Sequence, residues 1–112
     1  MQIRFRSKRL GKALSDPKEM AKAYGDRAKP IRRRLDVLGQ AACLSDVPTE
    51  PPDRRHQLGG NRDGQLSVTI KDNWRIVFVP DHDPLPCLPD GGLDTGQVTA
   101  VEIIEIVDYH GN

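Results

Sequence analysis

Apolar and polar positions alternate from the first residues, with Ile3 and Phe5 set between Gln2, Arg4 and Arg6, the two-residue period of a short strand. Ser7 is placed to cap a brief helical turn running through Leu14. Ser15-Asp16-Pro17 then reads as a helix start, because a side-chain acceptor precedes a proline whose missing N–H costs little in the first turn. Met20 and Tyr24 lie one turn apart on one face, and Gly25 ends the segment. A further helix is expected to be capped by Asp26 or to begin at Pro30. Along it Ile31, Leu35, Leu38 and Ala42 recur at helical spacing, while Arg32, Arg33, Asp36 and Gln40 take the opposite face.

Residues 45–54 hold three prolines and no periodicity, which predicts a connector. Beyond them the period changes to two. Arg55 to Leu58 forms a short strand, interrupted by Gly59-Gly60 and the turn Asn61-Arg62-Asp63-Gly64. Gln65 to Ile70 alternates, with Leu66, Val68 and Ile70 inward and Gln65, Ser67 and Thr69 outward. Lys71-Asp72-Asn73 turns the chain, and Trp74 to Val79 returns as the partner strand. Val98 to Val107 is apolar on both faces apart from Glu102 and Glu105, as expected of a strand inside a sheet. Residues 80–97 form a loop of a length that signals function or disorder. Helices first and a strand meander afterwards predict an α+β domain over residues 1–112. Its small antiparallel sheet has a mixed edge and two to three N-terminal helices packed on one face.

Composition narrows the classes. A chain of 112 residues suits one domain, and no apolar run approaches the ~20 residues that span a bilayer. Charges interrupt the first stretch where a signal peptide needs an apolar segment, so a cytoplasmic protein without membrane partners is expected. Two distant cysteines, Cys43 and Cys87, do not make a disulfide framework and are expected as free thiols. The net charge of +1 conceals a division: residues 1–40 hold 12 Lys and Arg against 4 Asp and Glu, and residues 41–112 hold 5 against 12. A basic half implies either a polyanionic partner or simply attraction between the halves.

The carboxyl-terminal half resembles the HigB branch of the RelE superfamily, the toxins of type II toxin–antitoxin pairs. The resemblance is carried by Arg55-His56-Gln57-Leu58, by Gly60-Asn61-Arg62-Asp63-Gly64-Gln65-Leu66-Ser67-Val68, by Asn73-Trp74-Arg75-Ile76-Val77-Phe78 and by the terminal Val107-Asp108-Tyr109-His110. It covers about the last sixty residues in words and the helical part only in pattern. Asp90-Gly91-Gly92-Leu93-Asp94 and Val98-Thr99 resemble a sub-branch of this plasmid-maintenance "killer" family that is sometimes labelled killer suppression protein. The resemblance implies a ribosome-dependent mRNA endoribonuclease that inhibits translation. Its expected partners are mRNA, ribosomal RNA and a cognate antitoxin, a small helix-turn-helix protein.

Such cleavage requires a ribose 2′-OH to lose a proton as it attacks the adjacent phosphate, the extra phosphate charge to be stabilised, and the leaving 5′-oxygen to be protonated. With an internal nucleophile, neither cofactor nor metal is expected, and His82 with Asp81, Asp83 and Cys87 fits no zinc spacing. Arg75 matches the family's catalytic arginine and stands on the strand face opposite Trp74, Ile76 and Phe78, where a guanidinium can fork onto a phosphate. The bland alternative is a salt bridge to Glu102 or Glu105. Asp108, Tyr109 and His110 match the family's terminal catalytic word, and would otherwise read as a frayed polar tail. His56 matches the family's other active-site histidine; alone, it would read as structural. Arg62, Lys71, Arg32, Arg33 and Lys12 are the candidate RNA contacts, with Arg34, Lys8 and Arg9 in the same basic stretch. One departure stands out: the family's Leu-Lys-Gly is Leu58-Gly59-Gly60 in this chain, and glycine can neither hold a phosphate nor move a proton. It keeps open an alternative, a catalytically silent RelE- or ParE-like protein that engages an antitoxin or gyrase.

Overall fold

The computed structural model describes residues 1–110. The opening alternation forms strand β1 (Gln2–Phe5), and Ser7 caps helix α1 (Lys8–Ser15) by accepting from the Leu10 amide at 3.1 Å. Asp16 caps α2 (Pro17–Tyr24) by accepting from the Lys18 amide, with Pro17 in the first turn. Gly25 closes α2 at φ +58°, a backbone that favours glycine.

Helix α3 (Ala28–Gln40) departs from the expected bounds. A 3-10 turn over Gly25–Arg27 leads straight into it, so Pro30 falls inside the first turn and Asp26 pairs with Lys71 rather than capping. The helix stops at Gln40, which leaves Ala42 exposed rather than on the apolar stripe. The stripe is completed instead by Arg34, 8% exposed, so of the three consecutive arginines only Arg32 and Arg33 stay in solvent. A guanidinium so placed needs acceptors. Arg34 Nε donates to the Thr69 carbonyl at 2.7 Å and Nη2 to that of Ile70 at 3.4 Å, while the buried Asp53 carboxylate lies 3.7 Å away.

The sheet has the order β1-β5-β4-β3-β2, with β2 (His56–Gln57), β3 (Leu66–Lys71), β4 (Trp74–Pro80) and β5 (Ala100–Asp108). Its ladders are antiparallel except that β1 runs parallel to β5, so the α+β class with a mixed edge holds. Val98 is fully buried but precedes β5, which begins two residues later. One sheet face carries Ile3, Phe5, Leu66, Val68, Ile70, Ile76, Phe78, Val101 and Ile103. Against it pack Leu14, Met20, Ile31 and Leu38 of the helices. Each of these that is fully buried contributes about 1.5–3 kcal/mol, and the partly buried Ile3 and Phe5 contribute less.

Both loops are more ordered than their composition suggests. The Pro-rich connector docks on β3, where the Thr69 amide donates to the Asp53 carbonyl at 2.7 Å. The loop over residues 80–97 folds back on itself through an isolated Cys87–Leu93 bridge, with Leu85 and Leu88 exposed. Cys43 and Cys87 are free thiols, and among the described residues no helix is long and apolar enough to cross a membrane.

Arg34 therefore joins helix, sheet and connector. Arg34→Ala strips a buried carboxylate of its partner and is expected to cost about 3–5 kcal/mol in urea unfolding. Adding Asp53→Ala to that variant is expected to cost far less than in the parent; additive losses would show that the two groups act independently.

Candidate functional site

The sheet face away from the helices is set by register. Across the ladders His56 lies opposite Ser67, Thr69 opposite Arg75, Arg75 opposite Val107 and Val77 opposite Glu105, and cross-strand partners share a face. Strand alternation then returns Tyr109 to the Arg75 side. On this face lies a cavity of about 490 Å³, the size of a small-ligand cleft. Its floor is Ser67 and Arg75, its walls are His56 and Leu58 on one side and Thr49, Pro51, Arg54 and Arg55 of the connector on another, and Tyr109 lines it from the end of β5.

The electrostatics of the cavity are one-sided. Arg54, Arg55 and Arg75 line it, no carboxylate does, and none of the three makes an ion pair among the described residues. Arg75 Nη1 donates to Thr69 Oγ1 at 2.7 Å, and its Nε is buried with no acceptor. Neither alternative partner is engaged: Glu102 pairs with Arg6 and Glu105 with Arg62. Arg55 Nε donates to the Val47 carbonyl at 3.0 Å, and burial pulls this guanidinium's pKa below its ordinary value. Ser67, 1% exposed, has a hydroxyl with no hydrogen-bond partner. A site of unpaired cations and an unpaired hydroxyl suits an oxyanion.

Tyr109 stands between two guanidiniums, 5.7 Å from Arg62 and 5.9 Å from Arg75 at the ring centroid. Both lie within cation–π range. Arg62 is held there by Gln65 Oε1 at 2.9 Å and by both oxygens of Glu105 at 3.4 Å.

The expected site residues divide. Arg75, Tyr109 and His56 meet at the cavity, with Arg62 beside Tyr109. Asp108 and His110 do not line it. Asp108 lies opposite Trp74, on the helix-side face, and holds His110 Nε2 at 3.2 Å, while His110 Nδ1 is 3.5 Å from the Asn73 amide nitrogen. Lys71 ends β3 in a pair with Asp26, and Lys12, Arg32 and Arg33 sit exposed on the helix layer, apart from the cavity. The expected RNA contacts thus belong to two surfaces. His82 Nε2 accepts from the Thr99 amide and Asp81 pairs with Arg4, so the acidic loop's groups serve the fold.

Arg54, Arg55, Ser67 and Thr69 were not expected at the site. The outward set Ser67 and Thr69 shares the period that placed Arg75, and so was a usable signal. Arg54 gave none, because nothing in an aperiodic Pro-rich segment says where it docks; Arg55 was expected to open the short strand, which begins one residue later at His56.

No family model matches the chain. Over 78 residues it is 27% identical to Toxin HigB-1 of Vibrio cholerae serotype O1, a stretch spanning 70% of this chain and 82% of that protein.

Gly59 follows the cavity-lining Leu58, and a Cβ built there meets nothing within 4 Å. Gly59→Lys is therefore expected to fold like the parent, within about 0.5 kcal/mol by chemical denaturation. A larger loss would show that the glycine is structurally required.

Proposed function

We propose that the chain is a toxin of a type II toxin–antitoxin pair and acts as an endoribonuclease on mRNA, inhibiting translation on the ribosome until a cognate antitoxin binds it. The observation that carries this reading is Arg75, a mid-sheet guanidinium with an unpaired buried Nε, beside Tyr109 in a cavity that no carboxylate among the described residues lines. The similarity to Toxin HigB-1 supports the toxin half of the proposal.

In the proposed reaction the 2′-oxygen forms a bond to the adjacent phosphorus as the bond from phosphorus to the 5′-oxygen breaks. The products are a 2′,3′-cyclic phosphate and a 5′-hydroxyl. Arg75 stabilises the charge that gathers on the non-bridging oxygens. Thr69 holds one end of its guanidinium, so the remaining donors are aimed before substrate arrives. Tyr109 offers a ring for a base, steadied by Arg62. Proton transfer falls to His56 on the cavity wall, while Asp108 and His110, paired with each other outside the cavity, steady the end of β5 that carries Tyr109. A DNA strand lacks the 2′-OH and is not cut. Lys12, Arg32 and Arg33 on the helix layer, with Lys71, supply phosphate contacts to ribosomal RNA, or to an acidic stretch of the antitoxin once it binds.

Gly59 favours a second reading, a silent relative that binds an antitoxin or gyrase, since it removes the cation that the resemblance leads one to expect. Expression separates the two. The nuclease reading expects growth arrest with cut transcripts bearing new 5′-hydroxyl ends. Arg75→Ala is expected to lower cleavage by about 10²–10³-fold, and His56→Ala to lower it while leaving RNA binding intact. Intact transcripts under arrest with DNA damage, or undiminished cleavage by Arg75→Ala, would overturn it.

A further inference from the structure

Residues 41–112 hold 12 Asp and Glu against five Lys and Arg, so carboxylates are abundant in this half. One of its five cations uses them, Arg62 with Glu105, and Lys71 pairs with Asp26 of the first half. The other three, Arg54, Arg55 and Arg75, pair with no carboxylate among the described residues and line one cavity. Like charges gathered in a partly desolvated space repel, and an arrangement of this kind is relieved by an anion.

The three arginines come from two sides of the cavity. Arg75 belongs to β4, whereas Arg54 and Arg55 belong to the connector, which is clamped from behind. Asp53 faces the buried Arg34 and its carbonyl accepts from the Thr69 amide. Arg54 is exposed and sits at φ +49°, the left-handed region that non-glycine residues rarely adopt. Unfavourable backbone persists where the surroundings over-determine it, and such positions gather at functional sites. Between the walls lies Ser67, 1% exposed, with its hydroxyl unpaired.

We propose that the connector is a second phosphate-binding wall, with Arg54 and Arg55, assisted by the Ser67 hydroxyl, holding the phosphodiester next to the one that Arg75 engages. The site therefore takes at least two consecutive phosphates of a single-stranded nucleic acid. This rests on the reading of Arg75 as the group at the cleaved phosphate. Arg54 is a binding residue and not a proton carrier. Arg55 is the better fixed of the two, through Val47, and burial lowers the cost of moving its charge from water to a phosphate.

Uncleavable 2′-O-methyl oligoadenylates test the proposal, a dinucleotide with one phosphodiester against a trinucleotide with two, bound to the full chain. The parent is expected to hold the trinucleotide about tenfold more tightly, the gain of one charge-assisted phosphate contact. Arg54→Gly suits a positive φ and so keeps the fold; it is expected to erase that gain and leave dinucleotide affinity unchanged. It is also expected to reduce the slope of log Kd against log salt by about 0.7. Arg54→Lys is expected to restore most of the gain, because it returns the charge. Arg75→Gln is expected to weaken both ligands. Equal affinity of the parent for the two lengths, no binding of either, or unchanged trinucleotide binding in Arg54→Gly would each overturn the second wall. Cleavage assays on the same variants separate the readings. A parent that binds as expected without cutting RNA leaves the wall and refutes the nuclease; cutting that Arg54→Gly does not alter in KM refutes the wall alone.

Discussion

Arg34 sits on the apolar stripe of a helix, yet three parts of the fold meet at its guanidinium. It donates to the carbonyls of Thr69 and Ile70 on the sheet and faces the Asp53 carboxylate of the connector at 3.7 Å. That separation is too long for a hydrogen bond, and Asp53 Oδ1 has no donor, so the pair is weaker than its burial suggests. Buried pairs of this kind seldom add net stability over apolar packing, but they do select one arrangement over others. In this molecule the arrangement selected is a docked connector. Without it the cavity would have one wall, and Ser67 and Arg75 would lie on an open sheet.

The division of charge along the sequence has a structural meaning that composition alone left undecided. The basic first half forms the helix layer, and several of its cations remain exposed there, among them Lys12, Arg32 and Arg33. Attraction between the halves accounts for part of it, since Arg4, Arg6 and Arg34 pair with Asp81, Glu102 and Asp53. The acidic second half supplies the cavity, yet among the described residues none of its carboxylates lines it. Net charge would have predicted the reverse. What decides the local field is which side chains a given strand face presents, and alternation separates Arg75 from Asp108 although their strands are adjacent.

Much of the fold was legible because its elements carry strong local signals. Ser7, Asp16 and Gly25 cap where their chemistry says they should, and period-two alternation gave β3 and β4 with the correct face inward. The failures share a cause. Arg34 reads as solvent-facing until its acceptors, some thirty-five positions away, are known. Ala42 falls at a helical interval past a helix that had already ended. Within the site, alternation placed Arg75 opposite the core, and the same alternation puts Asp108 on the other face, where it pairs with His110, while Tyr109 lies on Arg75's side. A word of three adjacent titratable residues cannot have all its side chains on one strand face. Reading the triplet as a unit overlooked that geometry.

The substitution at position 59 and the connector bear on the same question, how the cavity holds charge. A lysine after Leu58 would bring an ammonium from the sheet's short edge strand; glycine brings nothing, and the space stays open. On the second-wall proposal, cationic charge reaches the phosphate backbone from the opposite side, through two guanidiniums. The exchange is not neutral. An ammonium on a flexible stem is a point charge that can also carry a proton, whereas a guanidinium stays protonated and offers a planar fork. A site that trades lysine for arginine therefore gains grip and loses one route for proton transfer. On the proposed nuclease reading the remaining proton chemistry then rests on an imidazole, which places more weight on His56 at the cavity wall than on any cation within it.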